Sequence, residues 1–467
     1  MQIGNPVDDN NKPLGYLKKI IEKRLGIRNF NFVSNSEGDI DILFPGSCSK
    51  LCLQSFGSNY YRNGLLAIDH SLSMEIVPIT NDQVMDNLGE RWIPAIKSKK
   101  VSLGDPIIHL EENSITINFD ILGSIFYILT RAEEIANQTR DEHDRFPAKA
   151  SHAYQNGYLH RPVVDEYIEI LWWCMKRLWP RLERKPRQFR MVLSHDVDVP
   201  FAEAFSSPAK VMRSFGGDIL KRKDPARAFK RIGNWIATRR GDFKRDTNYT
   251  FDRIMDISEK HGLQSAFYFK TACTNPEFDC NYSIDHPFLR QMLREIHERG
   301  HEIGFHPSYE TYRDPVQTKK EFEKLLQVCE EEGIRQDAWG GRQHYLRWEA
   351  PTTWRNWAEA GLNYDSILSY ADCAGFRCGT CHEFPVFDLE KGEAQPLIER
   401  PLVVMEASLF GENYMNLSHE EAFAHAKMLK EQCRKFGGDF TLLWHNSTFE
   451  SDKHWKMYEE IIKFNFL

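Results

Sequence analysis

The feature that most constrains the fold is a regular alternation of short apolar runs with amphipathic segments across residues 188–467. Strands that alternate with helices along a chain pair in parallel. Seven such strands, within about 280 residues, favour a closed or nearly closed barrel, whose functional residues lie at the carboxyl ends of the strands. We therefore predict an α/β fold, a distorted seven-stranded (β/α) barrel, with a doubly wound open sheet as the main alternative. The predicted strands are 190–195, 264–270, 301–305, a short run before Gly340-Gly341, 363–368, 401–405 and 440–444.

Residues 1–187 lack this alternation and are predicted to form a smaller, mixed α+β domain. The proposed boundary is Lys185-Pro186-Arg187, so that residues 188–467 form the second domain. No motif in the first domain indicates chemistry, and Arg131, Glu133 and Glu134 are interpreted as a solvated helix face. Its predicted elements are a helix over 16–25, a strand over 114–119, a helix over 121–134 capped by Asp120, and a helix over 163–179 stopped by Pro180.

Composition excludes several classes of function. The net charge of −7 gives no reason to expect binding to nucleic acid. No apolar stretch reaches the roughly 18 residues of a membrane span. The amino terminus lacks the pattern of a signal peptide and the ten cysteines need no pairing, so we predict a cytoplasmic protein. The spacing Cys378-Gly-Thr-Cys381 occurs once and is interpreted as structural. The oligomeric state is not indicated by the sequence.

One segment is positively charged although the whole chain is negatively charged. Residues 209–245 include Lys221-Arg222-Lys223 and Arg239-Arg240. The leading interpretation is a solvated helix face. The alternative is a surface that guides an anionic glycan or a lipid headgroup.

Polar residues follow several of the predicted strands, where a barrel would bring them to one rim. A single histidine after an apolar strand is usually structural, but five polar strand ends on one rim favour an active site. The sequences at these ends are His195-Asp-Val-Asp198, His306-Pro-Ser-Tyr-Glu310, Gly341-Arg-Gln-His-Tyr-Leu-Arg347, Tyr364-Asp-Ser366 and Trp444-His-Asn446.

Three of these motifs, in this order, resemble those of the polysaccharide deacetylase family, carbohydrate esterase family 4, over residues 188–467. Gly300-His-Glu-Ile-Gly-Phe-His306 is similar to the stretch that carries the metal histidine of that family. Asp196-Val-Asp198 resembles a variant of its opening motif, and Leu443-Trp-His445 resembles its late motif. Residues 1–187 resemble an uncharacterised domain that precedes such catalytic domains in bacteria.

The resemblance implies a divalent metal, most readily zinc, with iron, nickel, cobalt or manganese as alternatives. It implies that Asp198 and His306 are ligands, Asp196 the general base and His445 the general acid. Asp365 or Glu406 is the expected partner of His445.

The family pattern is altered at two places. Glu310 stands where the family has its second metal histidine, so Glu310 and His344 are both candidates for the third ligand. Tyr309 and Ser308 are weaker candidates. Arg342 or Arg347 is expected to replace the arginine that holds the base.

The implied activity is a metal-dependent hydrolase that removes acetyl from an amino sugar in a poly- or oligosaccharide or its precursor. A cytoplasmic location would favour a lipid-linked or nucleotide-linked intermediate of surface polysaccharide. Three alternatives remain open: an amidohydrolase for a non-sugar amide, a degenerate carbohydrate-binding protein without metal, and an interaction scaffold.

Overall fold

The computed structural model describes residues 12–55, 74–97, 106–279, 282–449 and 451–463. Two sheets form the N-terminal region. A five-stranded sheet has the order β1-β2-β3-β7-β6, and a three-stranded antiparallel sheet has the order β4-β5-β8. The strands are β1 (Asn31–Ser34), β2 (Ile40–Leu43), β3 (Lys50–Leu53), β4 (Met74–Pro78), β5 (Trp92–Lys97), β6 (Ile108–Leu110), β7 (Ser114–Ile117) and β8 (Phe119–Asp120).

Helices cover these sheets, and the three predicted N-terminal helices are present in the structure. Asp120 accepts a hydrogen bond from the amide of Gly123 at 2.7 Å, which confirms it as a helix cap. The predicted helix over 121–134 is two helices, because Arg131 adopts a left-handed conformation between them. The helices are α1 (Lys12–Leu25), α2 (Asp82–Leu88), α3 (Ile121–Leu129), α4 (Ala132–Ala136), α5 (His152–Gln155) and α6 (Val163–Leu178).

The C-terminal region is built on a nine-stranded sheet with the order β14-β15-β13-β12-β11-β10-β9-β17-β16. All neighbours pair in parallel except β14 and β15, which form an antiparallel hairpin at one edge. Within the described residues the two end strands do not pair with each other, so the predicted seven-stranded barrel is not confirmed. The strands are β9 (Arg190–Val197), β10 (Ser265–Phe269), β11 (Glu302–Phe305), β12 (Gly340–Gly341), β13 (Tyr364–Asp365), β14 (Phe384–Asp388), β15 (Glu393–Glu399), β16 (Val404–Met405) and β17 (Asp439–Leu443).

Each of the seven predicted strands has a counterpart in this sheet, and the hairpin β14–β15 is additional. Strand β12 consists of the two glycines themselves, whereas the prediction placed a strand before them. A Cβ atom on Gly341 would lie 1.8 Å from the carbonyl oxygen of Phe305, so only glycine allows β12 to approach β11 this closely.

Helices connect these strands, and their starts follow the predicted capping signals. Asp314 accepts from the amides of Val316 and Gln317, and Ser418 forms a capping box with Glu421. No helix in the described parts of the chain is long and apolar enough to span a bilayer. The helices are α7 (Pro208–Leu220), α8 (Pro225–Arg239), α9 (Phe251–Lys260), α10 (Pro287–Glu298), α11 (Pro315–Glu331), α12 (Thr352–Ala360), α13 (Glu406–Phe410), α14 (His419–Lys435) and α15 (Asp452–Ile462).

The two regions share one hydrophobic core and several buried ion pairs. Arg131 Nε donates to Glu134 at 2.9 Å, and Arg377 Nη2 donates to the same carboxylate at 2.6 Å. All three side chains are buried, so the prediction of a solvated face is wrong for Arg131 and Glu134. Charge patterning along a helix could not reveal Arg377, which lies 243 residues away in sequence.

A second buried pair joins α1 to α6 and to the loop of Cys381. Arg24 Nη2 contacts Asp165 Oδ1 at 2.5 Å, and Asp165 Oδ2 accepts from the amide of Cys381 at 3.0 Å. Asp165, Cys381 and His382 also place possible ligand atoms within 4.8 Å of one another. Because both oxygens of Asp165 already accept hydrogen bonds, we interpret the group as structural.

Replacing Arg24 with methionine is expected to cost about 3–5 kcal/mol of unfolding free energy, because it leaves the Asp165 carboxylate buried without its counterion. Burial raises the pKa of Asp165, but Arg24 and the surrounding donors outweigh it and lower the pKa to about 2. The folded-state pKa is therefore depressed, and this contribution in the wild type should be lost as the pH falls from about 4 towards 2. Urea unfolding across this range measures both effects. Lys18→Met, which removes a half-exposed pair at 3.9 Å from the same helix, should cost less than about 1 kcal/mol.

Candidate active site

The side chains of the site follow the carboxyl ends of neighbouring parallel strands. Asp198 directly follows β9, His306 follows β11, and His445 lies two residues beyond β17. His344 belongs to the short turn after β12. Because β9 pairs with both β10 and β17, and β11 is the next strand along, these ends meet at one rim.

Asp198 is the centre of a group that could hold a metal. Its Oδ1 lies 3.0 Å from His306 Nε2 and 3.2 Å from His344 Nε2. One ligand atom from each of the three residues lies within 4.8 Å of the others. Both histidines are buried, while Asp198 is 26% exposed, so the group opens to solvent on the side of the carboxylate.

The hydrogen-bond partner of Nδ1 in His306 and in His344 determines, for the neutral ring, the protonation of the Nε2 atom that faces Asp198. His306 Nδ1 lies 2.6 Å from the carbonyl oxygen of Arg342, and His344 Nδ1 lies 2.9 Å from Asp279 Oδ1. Both partners can only accept, so each Nδ1 carries a proton, and in the neutral form of each ring the lone pair at Nε2 faces Asp198. Burial lowers the pKa of His306, which favours this neutral form.

In that neutral form two imidazole lone pairs and a carboxylate face one point, an arrangement that a cation stabilises. Imidazole nitrogen and carboxylate oxygen are ligands of zinc, and a carboxylate or carbonyl acceptor on the second ring nitrogen is the usual support of a metal-binding histidine. The chemistry of this donor set therefore fits a divalent ion.

Lys270 supplies a positive charge to the same group. It directly follows β10, is 2% exposed, and its Nζ lies 3.2 Å from Asp198 Oδ1 and 2.9 Å from His344 Nε2. Burial raises the pKa of Asp198, but Lys270 and the two histidines outweigh it and hold the pKa well below its usual value.

Asp196 is held by Arg342. The guanidinium is fully buried, and its Nη1 donates to Asp196 Oδ1 at 2.8 Å. Its Nη2 donates to the hydroxyls of Ser194 and Ser366, both at 3.0 Å. Because this planar donor is held at three points, it fixes the orientation of the Asp196 carboxylate, which is not one of the three potential ligands.

The structure does not bring Glu310 and Arg347 into this arrangement. Glu310 is 50% exposed, and its carboxylate accepts from Arg347 Nη1 at 2.9 Å. Arg347 also contacts Asp144 at 3.1 Å, and no contact between Arg347 and Asp196 is present. Of the two candidates for the third ligand, His344 lies in the group, and of the two arginines, Arg342 holds Asp196.

His445 faces the group from the side of β17. Its Nε2 lies 3.5 Å from Asp198 Oδ2, and its Nδ1 lies 2.6 Å from Glu406 Oε1. Burial disfavours the charged ring, but the Glu406 carboxylate outweighs it and raises the pKa of His445 to about 10. Of the two residues expected to support His445, Glu406 does so, whereas Asp365 is paired with Glu399.

Two residues of the site are not among those predicted from the sequence. The predicted strand 264–270 includes Lys270 as its last residue, although a lysine at that end carries the same signal as the histidines after the other strands. Asp279 lies in a loop, where its carboxylate accepts from the amides of Thr274 and Asn275. No local pattern distinguishes it from any other loop aspartate.

Comparison with known proteins gives partial matches. A family model described as a family of unknown function, DUF7033, matches residues 16–180. No curated protein matches the chain. Two solved structures are each similar to 60% of this chain, over 84% of their own length. One is a candidate polysaccharide deacetylase from Mycobacterium smegmatis, 16% identical with a TM-score of 0.39, and the other is an allantoinase, 11% identical with a TM-score of 0.37. A carbohydrate deacetylase is similar to 84% of this chain, over 66% of its own length, with 8% identity and a TM-score of 0.33.

Proposed function

We propose that the protein is a metal-dependent hydrolase of carbon–nitrogen bonds that removes the acetyl group from an N-acetylated amino sugar. The observation that carries the proposal is the convergence of three chemically distinct groups on one rim. These are a ligand set, an arginine-held carboxylate and a carboxylate-backed histidine. The substrate class comes from the resemblance of the strand-end motifs to polysaccharide deacetylases.

Asp198, His306 and His344 would hold the ion. The chemistry that a divalent ion supplies when bound is the acidification of water and the polarisation of a carbonyl. Arg342 O and Asp279 hold a proton at Nδ1 of each ring, which leaves Nε2 as the ligating atom.

Asp196 would accept the proton of the attacking water. Arg342 fixes its orientation, and Asp196 takes no part in the ligand group, so its carboxylate stays available as a base. His445 would deliver a proton to the departing amine from Nε2. Glu406 favours the imidazolium form that this step requires.

The first test is metal binding. His306→Ala and His344→Ala should each lower zinc affinity by about 100-fold or more, because each removes one of three protein ligands. Glu310→Gln should bind zinc as the wild type does, because its carboxylate points away to Arg347. A chelator-competition titration measures these affinities. Loss of zinc in Glu310→Gln with retention in His344→Ala would reverse the assignment of the third ligand.

Lys270→Met is expected to bind zinc at least about tenfold more tightly than the wild type. The lysine ammonium approaches two of the three ligands and repels a second cation at that position. Methionine keeps most of the volume and removes the charge. The same titration measures the change, and Lys244→Met, which removes an exposed lysine from the surface, is the control. Weaker zinc binding by Lys270→Met would show that the lysine acts as a ligand instead.

If the protein were instead a degenerate carbohydrate-binding protein, acetate release would give a different result. Such a protein would bind N-acetylated sugars without releasing acetate, with or without zinc. Acetate release from a panel of N-acetylated amino sugars and simple amides therefore separates a sugar deacetylase, a non-sugar amidohydrolase and a binding protein.

A further inference from the structure

Helices α7 and α8 form an exposed hairpin that the proposed chemistry does not use. The hairpin begins ten residues after Asp198, so it extends from the rim that carries the site. Ten large apolar side chains are exposed in the described residues, and six of them lie between positions 199 and 236. Those six are Val199, Met212, Ile219, Leu220, Phe229 and Ile236.

The apolar residues fall into one stripe on each helix. Met212 and Ile219 are seven residues apart on α7, and Phe229 and Ile236 are seven apart on α8, so each pair shares a helix face. The ring of Phe229 packs edge-on against that of Phe215 at 5.6 Å, which joins the two stripes across the hairpin. Exposure is highest near the turn, where Leu220 is 79% and Phe229 67% exposed.

The same hairpin concentrates positive charge. Residues 208–239 contain nine lysines and arginines against two aspartates, a net charge of +7 in a chain whose total is −7. One aspartate, Asp218, is fully buried and pairs with Arg222 and Arg231. Lys221 and Lys223 are exposed at the turn beside Leu220, so apolar and cationic side chains share one surface.

Buried contacts hold the hairpin in place. Arg231 on α8 donates to Asp218 on α7 at 2.8 Å and to Glu203, which precedes both helices, at 2.9 Å. The exposed apolar surface is therefore built into a fixed element and is not the result of a loosely packed insertion.

We propose that this hairpin docks the protein onto a bilayer surface rich in anionic phospholipid. Amphipathic helices with cations flanking an apolar stripe lie in the headgroup region, with the apolar side chains inserted and the cations at the phosphates. A soluble polyanion would account for the charge but not for the five exposed apolar side chains of the hairpin. A protein partner would account for the apolar stripe but not for a net charge of +7. The inference does not depend on the proposed hydrolase activity.

The test is sedimentation of the full-length protein with vesicles of roughly 30% phosphatidylglycerol and 70% phosphatidylcholine. The wild type should bind these vesicles, bind pure phosphatidylcholine vesicles at least about tenfold more weakly, and lose affinity in about 0.5 M salt. Leu220→Ser/Phe229→Ser should weaken binding about tenfold or more, because it removes two inserting side chains and no charge. Lys221→Glu/Lys223→Glu should weaken it by a similar factor at low salt.

The control is Ile76→Ser/Val316→Ser, which removes two exposed apolar side chains from other surfaces and should bind vesicles as the wild type does. Thermal unfolding of each variant checks that the fold is intact. Failure of the wild type to bind anionic vesicles would overturn the proposal. So would unchanged binding by Leu220→Ser/Phe229→Ser, which would indicate a polyanion site. A wild-type dimer that this variant dissociates, together with absent vesicle binding, would identify a second copy as the occupant.

Discussion

Asp196→Asn is expected to lower the turnover of an N-acetylated amino sugar by about 10²–10⁴-fold while leaving zinc affinity within about threefold of the wild type. Asparagine keeps the size of the side chain and an oxygen that can accept from Arg342, but it cannot take up a proton at neutral pH. The ligand group consists of Asp198, His306 and His344 and does not include Asp196. The chemical step should therefore fail in a centre that still binds metal.

Initial rates of acetate release give kcat and KM, and a chelator-competition titration gives the zinc affinity of the same preparation. Asp256→Asn makes the same chemical change at an exposed position on α9 and should alter kcat by less than about twofold. Full activity in Asp196→Asn would show that another group takes the proton. A parallel loss of zinc would instead place Asp196 among the ligands.

The residues of this centre that the sequence could reveal are those that directly follow an apolar strand. Asp198 and His306 stand at such a position and His445 lies one residue further on, and the parallel pairing of the strands brings the three together without further information. The helix caps at Asp314 and Ser418 were equally accessible, because a capping interaction is local in sequence.

The third ligand was not accessible in this way. A spacing of four residues places Glu310 near His306 only if the intervening chain turns its side chain inward. In the structure this segment enters a short 3-10 helix, Tyr309–Arg313, and the carboxylate of Glu310 faces Arg347 at the surface. His344 reaches the group from a different strand, and Asp279 supports it from a loop. Such contacts depend on how loops pack, which a single sequence does not encode in any local pattern.

The sheet also contains a strand that no local sequence pattern predicts. Strand β15, Glu393–Glu399, carries a proline and two glutamates and gives no apolar run, yet it pairs with β13 in parallel and with β14 in an antiparallel hairpin. Its place between β13 and the edge strand β14 follows from backbone pairing with those strands, because intrinsic strand propensity is weak where tertiary contacts decide the pairing. The extra hairpin changes the strand count from the predicted seven to nine.

His445→Gln is expected to lower kcat for an N-acetylated amino sugar by about 10²–10⁴-fold but to slow the hydrolysis of p-nitrophenyl acetate by less than about tenfold. An amine is a poor leaving group and departs only when its nitrogen receives a proton, whereas a nitrophenolate departs as the anion. Glutamine keeps a hydrogen-bond donor near Nε2 but cannot transfer a proton. The ratio of the two losses therefore isolates proton delivery from binding and from the attack on the carbonyl.

Glu406→Gln provides the companion measurement. It retains the side-chain volume at 2.6 Å from His445 Nδ1 but removes the negative charge that favours the imidazolium. It should reproduce the selective loss on the amide with a smaller magnitude, because His445 can still carry a proton for part of the time. Since His445 Nε2 lies 3.5 Å from Asp198 Oδ2, zinc affinity must be measured in both variants. Equal losses on amide and ester would contradict the general-acid assignment and would point to His445 as an oxyanion or ligand-positioning group.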